Sequence, residues 1–292
     1  MAITERIVTS ADGTKIIAES TGDSSKPAIV FVHGLSCTSL GWDCQFTDPD
    51  LLRDFYLVRY DMRGHGRSDK PKEPQRYESI RFAEDFKAVC DAFGVNKPFL
   101  AGWSLGSSVV VDVVAAYGSS FLSGALYVGG GVLSLQKYHP QCFTPFIAGM
   151  MSFLASTDPD DVSRAAEMFV DSLTAPGEQL SYHQKLEWMG GFVAQPNSVR
   201  ALSVTRIQPY EVWEQQARSL PVLIVQGTED QHCLYENMIR LAKEVYENVE
   251  VKLLDGVGHS PAVERPVATN RYIREWTYKI AAKQASGPLS SC

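Results

Sequence analysis

Two short segments near the start of the chain, Glu5 to Ser10 and Thr14 to Ser20, alternate apolar and polar residues on either side of Asp12-Gly13. That dipeptide favours a tight turn, so the pattern predicts an antiparallel hairpin. Pro27 to His33 and Phe55 to Tyr60 are instead nearly continuous apolar runs, as strands buried on both faces of a parallel sheet are. Tyr77 to Phe93 then places Ile80, Phe82, Phe86, Val89 and Phe93 at helical spacing, and predicts a helix. Pro98 to Ala101, Gly124 to Val128, Pro221 to Val225 and Val249 to Leu254 read as further strands, Leu105 to Tyr117 as a buried helix, and Arg271 to Ala282 as a closing amphipathic helix. From Val132 to about Pro209 the strand signal stops. There Asp158 suits an N-cap for a stripe of Val162, Ala166, Phe169, Val170 and Leu173, and Glu178 to Val193 and Asn197 to Ile207 also have a helical pattern. The expected organisation is an α/β core over 1–131 and 210–285, a helical cap over 132–209, and a frayed tail over 286–292.

Composition narrows the classes of function. A chain of 292 residues with 45% apolar and 21% charged residues fits one large globular α/β domain carrying an insertion. The net charge of -7 and the lack of a basic run exclude a phosphate-neutralising surface, so no nucleic-acid partner is expected. Met1 to Gly13 is charged at Glu5, Arg6 and Asp12, unlike a secretory leader, and no stretch is apolar enough to span a bilayer. Six scattered cysteines without Cys-x-x-Cys spacing read as free thiols of a cytoplasmic protein, with Cys37 and Cys44 near enough in sequence for a local disulfide as the minor alternative. Neither metal-ligand spacing nor a Gly-x-Gly-x-x-Gly or Walker pattern occurs, so neither a metal nor another cofactor is expected. The sequence sets no oligomeric state.

Candidate chemistry centres on Gly102-Trp103-Ser104-Leu105-Gly106, between a predicted strand and a predicted helix. A turn that sharp crowds the residues two before and two after the serine, and glycine relieves the crowding. A serine hydroxyl is a poor nucleophile unless a base takes its proton and an acid orients the base. His259 follows the last strand and Asp230 follows the one before, both at the carboxyl edge where parallel sheets place ligands. This gives the order Ser104, Asp230, His259, with Glu229 as an alternative acid and His232 as the rival base. His33 and His65 fit a loop-fixing role, while His139 and His183 fall in the cap.

These segments, with His33-Gly34-Leu35, Asp61-Met62-Arg63-Gly64-His65-Gly66-Arg67-Ser68, Gly227-Thr228-Glu229-Asp230 and Gly258-His259, resemble the α/β-hydrolase superfamily. The branch is the one with a helical cap that includes small esterases, lactonases, cofactor-free haloperoxidases and carbon-carbon bond hydrolases. The resemblance implies a mostly parallel eight-stranded sheet with helices on both faces, and an oxyanion hole from the amides of Leu35 and Leu105. A nucleophilic serine in place of aspartate turns the expectation away from epoxide hydrolase and haloalkane dehalogenase. The expected activity is hydrolysis of a small, largely apolar carboxylic ester or lactone through an acyl-enzyme. Carbon-carbon bond hydrolysis, acyl transfer or perhydrolysis by the same triad is the alternative, and a ligand-binding receptor on a hydrolase scaffold is the reading from another class. Phe143, Phe146, Trp188 and Met189 are expected to line the substrate pocket, because the cap holds more large apolar groups than its helices can bury among themselves, and Leu40 and Trp42 are expected there from the nearby loop Leu35 to Trp42.

Overall fold

The computed structural model describes residues 2–286, so the expected tail beyond Ser286 lies outside the described residues. Eight strands form one sheet: β1 (Thr4–Thr9), β2 (Lys15–Thr21), β3 (Ala28–Val32), β4 (Tyr56–Tyr60), β5 (Phe99–Gly102), β6 (Gly124–Val128), β7 (Val222–Gly227) and β8 (Val249–Leu254). Their order across the sheet is β1-β2-β4-β3-β5-β6-β7-β8. The hairpin β1-β2 and the β2-β4 pair are antiparallel, and every later pairing is parallel.

The apolar runs feed two cores at once because successive side chains of a strand point to opposite faces. In β3, Val30 and Val32 join the cluster on one face, while Ile29 and Phe31 join the other. β7 divides in the same way, with Val222 and Ile224 on one side and Leu223 and Val225 on the other. Full burial of each such side chain is worth roughly 1.5–3 kcal/mol. Helices Ser79–Ala92 and Val109–Tyr117 supply Phe86, Val89, Val110 and Val114 to the first cluster, and Pro266–Ala285 supplies Ile273 and Trp276 to the second. Helices therefore cover both faces.

Between β6 and β7 lie the helices Pro145–Ala155, Pro159–Asp171, Tyr182–Ala194, Asn197–Thr205 and Tyr210–Ala217. Asp158 caps the second of these, accepting from the amides of Asp160 and Asp161. The third starts at Tyr182, not near Glu178, because Ser181 is its cap and accepts from Gln184 N at 3.2 Å. Pro145–Ala155 has no apolar stripe to reveal it, since Pro-Phe-Ile-Ala-Gly-Met-Met is apolar all round; its signal is the Thr144 cap followed by Pro145. The far end of this helical segment is tied to the helix after the elbow: Arg206 bonds Asp112 at 2.8 Å with both side chains fully buried.

Candidate active site

The elbow forms because β5 ends against backbone on both sides. Ser104 sits at φ +50°, a conformation that costs a non-glycine residue of order 1–3 kcal/mol and persists only when its surroundings enforce it. Its amide donates to Gly129 O at 3.0 Å, and the Trp103 amide donates to Val32 O at 2.9 Å. A Cβ on Gly102 would lie 2.4 Å from Ser107 Cα, so the chain does fold back on itself there. Gly106 is crowded by a different neighbour: a Cβ on it would lie 2.3 Å from Val32 O and 2.5 Å from His33 O. The second glycine thus admits the edge of β3, not the first glycine. Ser104–Ser108 is a 3-10 turn, and the α-helix begins at Val109, later than the expected Leu105.

Asp230 and His259 meet in the loops after β7 and β8. His259 Nδ1 lies 2.9 Å from both Asp230 oxygens. The same carboxylate accepts from the amides of His232 at 2.8 Å and Cys233 at 3.0 Å, and from Gln226 Nε2 at 2.8 Å. Burial pushes the Asp230 carboxyl up, but His259 and these hydrogen bonds outweigh it and hold the group below its ordinary range. With Nδ1 donating to the carboxylate, His259 Nε2 carries the lone pair; it is buried and has no partner among the described residues. Glu229 is exposed and makes no contact with the imidazole.

The His259 loop is held from two sides. Glu264 accepts from the amides of Gly258 at 2.9 Å and Ser260 at 3.2 Å, and also from the amide of Ala175 at 2.9 Å in the inserted segment. Opposite the ring, Gly130 has φ +58°, and a Cβ there would lie 2.1 Å from His259 Cε1. Trp103 Nε1 donates to His259 O at 2.9 Å.

A cavity of about 240 Å³ opens beside these groups, lined by Ser104, His259, Leu35, Leu105 and Gly130 from the strand ends and by Phe143, Ile147, Leu154, Phe169 and Val204 from the inserted segment. Among the described residues, no Asp, Glu, Lys or Arg lines it. Leu105 follows Ser104 at the first turn and Leu35 follows β3, so both residues border the cavity at the same sheet edge.

A sequence profile of the family described as alpha/beta hydrolase fold matches residues 27–266. The chain belongs to that family. Its similarity to a Mycobacterium tuberculosis protein named EphD is local, 39% identity over 93 residues, which is 32% of this chain and only 15% of the length of that relative. The Acinetobacter calcoaceticus protein named bifunctional esterase/perhydrolase DCH is 26% identical over 271 residues, covering 86% of this chain and 92% of the relative. The crystal structure of the esterase RhEst1 from Rhodococcus sp. ECU1013 superposes with a TM-score of 0.84 at 29% identity, covering 96% of this chain and all of the other.

Within this α/β hydrolase the expected pocket residues separate. Phe143 lines the cavity. Phe146 does not: it stacks on His232, with ring centroids 6.2 Å apart, and lines a separate outer groove of about 660 Å³. Trp42 is a correction too. The turn Ser39–Trp42, capped by Thr38, drives its ring into the core against Phe31 at 4.9 Å, and Leu40 on that turn does not reach the cavity either. Trp188 is buried against Trp103 at 5.4 Å, and Met189 packs into the same core cluster, so neither lines the cavity. Cys37 and Cys44 are free thiols. His33 donates from Nδ1 to Gly34 O and accepts from the Met62 amide at Nε2, and His65 donates to Arg63 O, so both fix loops.

Three features of the site escaped the sequence reading. Gly129-Gly130-Gly131, just past β6, approaches the His259 loop closely, and the run of glycine was the available signal. Glu264 sits five residues after His259 with nothing to mark it. His232 and His139 both line the cavity, though the sequence offers the first only as a rival base and the second only as a residue of the cap.

Proposed function

We propose that this α/β hydrolase is a serine hydrolase that cleaves a small, largely apolar carboxylic ester or lactone through an acyl-enzyme. The observation that carries the reading is the convergence of Ser104 and the Asp230-backed His259 on one uncharged cavity of about 240 Å³. Ser104 Oγ attacks the substrate carbonyl while His259 Nε2 takes its proton, and the amides of Leu35 and Leu105 receive the developing oxyanion. The imidazolium then protonates the leaving alcohol, and water activated by the same nitrogen hydrolyses the acyl-enzyme. Asp230 keeps Nδ1 protonated and offsets the imidazolium charge throughout. The cavity lies below the roughly 300–1,000 Å³ of pockets for drug-sized ligands, which supports a short acyl group. Its apolar wall favours added methylenes, each worth about 0.8 kcal/mol when buried.

Labelling with a fluorophosphonate, followed by peptide mass mapping, tests the nucleophile. The wild type should be labelled at Ser104, Ser104→Ala should not, and an unlabelled wild type that turns over no aryl ester would refute the proposal. Similarity to a protein named esterase/perhydrolase supports acyl transfer to peroxide as a second reading, since peroxide can replace water on the same acyl-enzyme. Peracid formation from acetate and hydrogen peroxide measures it.

A further inference from the structure

The catalytic histidine is one of three on the cavity wall; His232 and His139 are the others. Resting on the ester-hydrolase reading above, we propose that His232 is a specificity-determining residue whose Nδ1 accepts a hydrogen bond from a hydroxyl or amide N–H on the substrate's acyl part, close to the scissile carbonyl.

The neighbours of the His232 ring fix where its one proton sits. His232 Nε2 lies 2.7 Å from Ser172 Oγ, and Ser172 Oγ lies 2.8 Å from Phe169 O. Phe169 is in the last turn of its helix, and the amide that would ordinarily reach its carbonyl, that of Leu173, donates to Val170 O instead. The Phe169 carbonyl is therefore satisfied by the Ser172 hydroxyl, whose single proton is spent there. Ser172 must accept from His232, so Nε2 carries the hydrogen. Burial, reinforced by the neighbouring His259, holds the His232 ring well below the usual histidine range, so it is neutral at neutral pH. Nδ1 is then a lone-pair acceptor, and no described residue donates to it.

The placement sets the distance from the reacting carbon. The His232 and His259 rings are 4.3 Å apart between centroids, so a substrate held between Ser104 and His259 meets His232 within about two or three bonds of its carbonyl. His139 adds a second sign of polar recognition. It lies edge-on to Phe143 at 4.4 Å, and its buried Nδ1 has no partner among the described residues. Two imidazoles that the triad does not use, in a wall otherwise made mostly of Leu, Ile, Val and Phe, with Thr205 and Cys233 beside them, suit an acyl group that is apolar except for one hydrogen-bonding substituent.

Matched aryl esters test this: 3-hydroxybutyrate against 3-methylbutyrate, and 2-hydroxybutyrate against 2-methylbutyrate, each kcat/KM divided by the rate of alkaline hydrolysis. In the wild type at least one hydroxylated ester should be favoured on the order of tenfold over its methyl isostere. In His232→Phe, which keeps a stacked ring without the acceptor, that ratio should fall to near one. Ser172→Ala should shrink it as well, because the tautomer is no longer fixed. A wild-type ratio of one or less for both pairs overturns the inference even if no variant folds, and so does a preference that survives in His232→Phe. Fluorophosphonate labelling of Ser104 in the same samples separates the two levels. Labelled protein that hydrolyses the methyl esters without discrimination refutes the role of His232 alone, whereas unlabelled protein inactive on all four esters refutes the ester-hydrolase reading and this inference with it.

Discussion

Replacing Gly130 by alanine should disable the base while leaving the nucleophile and the fold in place. The new Cβ would stand 2.1 Å from His259 Cε1 and 2.6 Å from Nδ1. Carbon atoms in contact ordinarily stay roughly 3.5–4 Å apart, so the ring must retreat by about 1.4 Å or more. Nδ1 now lies 2.9 Å from the Asp230 carboxylate, and a retreat of that size breaks the bond or swings Nε2 away from Ser104. A misplacement of about 1 Å can cost on the order of 100-fold in rate, and kcat should fall by at least that much. Alanine at a left-handed φ adds strain of about 1–2 kcal/mol, visible as a lowered Tm. Gly94→Ala is the control: its φ is +65° and nothing lies within 4 Å of the added Cβ, so it carries the strain without the clash. Measuring kcat on an aryl butyrate and Tm for both variants decides the matter. Wild-type kcat in Gly130→Ala, or an equal kcat loss in Gly94→Ala, would refute the reasoning.

Ser104→Ala should lower kcat on the order of 10^6-fold with Tm preserved, because triad members act as a unit. Asp230→Asn should cost roughly 10^4-fold in kcat through the wrong imidazole tautomer, whereas Glu229→Gln should be mild; the reverse ranking would reassign the acid. Because the folded Asp230 carboxyl is held below its ordinary value, its contribution to stability is present above the unfolded value of 3.8 and lost as pH falls through the folded one. Denaturant titrations between about pH 5 and pH 3 should therefore show the wild type losing more stability than Asp230→Asn. Arg206→Ala strands the buried Asp112 carboxylate and should cost about 3–5 kcal/mol by urea unfolding, more than Asp112→Asn and Arg206→Met combined in one chain. Across aryl acetate, butyrate and a succinate monoester, kcat/KM should rise from acetate to butyrate and drop for the charged succinate; a preference for succinate would contradict the uncharged cavity.

Much of the fold is legible in the sequence because each strand announces itself locally. Gly124 to Val128 is apolar from end to end and is buried from end to end, and Asp12-Gly13 turns β1 into β2 as the dipeptide predicts. The helix Pro145–Ala155 is not legible, since its sequence is apolar all round and hides the face, Ile147, Met150 and Leu154, that it buries. Ser104, Asp230 and His259 were legible by their place after strands, a property of chain order. The residues that build the cavity were not, because a residue's size says nothing of its direction. Trp42 and Phe143 are both large and both near the site, yet the turn capped by Thr38 sends one into the core, while the short pairing of Phe143 with Cys233 holds the other beside the acid loop. The tautomer of His232 depends on Ser172, sixty positions away, and no local pattern carries that information.

Glu264 has a consequence for how members of this family can be recombined. Its carboxylate gathers the amides on either side of His259 together with the amide of Ala175. A donor segment spliced in place of the native helices must therefore deliver a backbone N–H at that third position, whatever its side chains. A graft that places proline there brings no hydrogen to the carboxylate. Such a chimera should fold its sheet and still mistune its base, so the junction near residue 175, more than the choice of pocket side chains, sets which foreign caps this scaffold accepts.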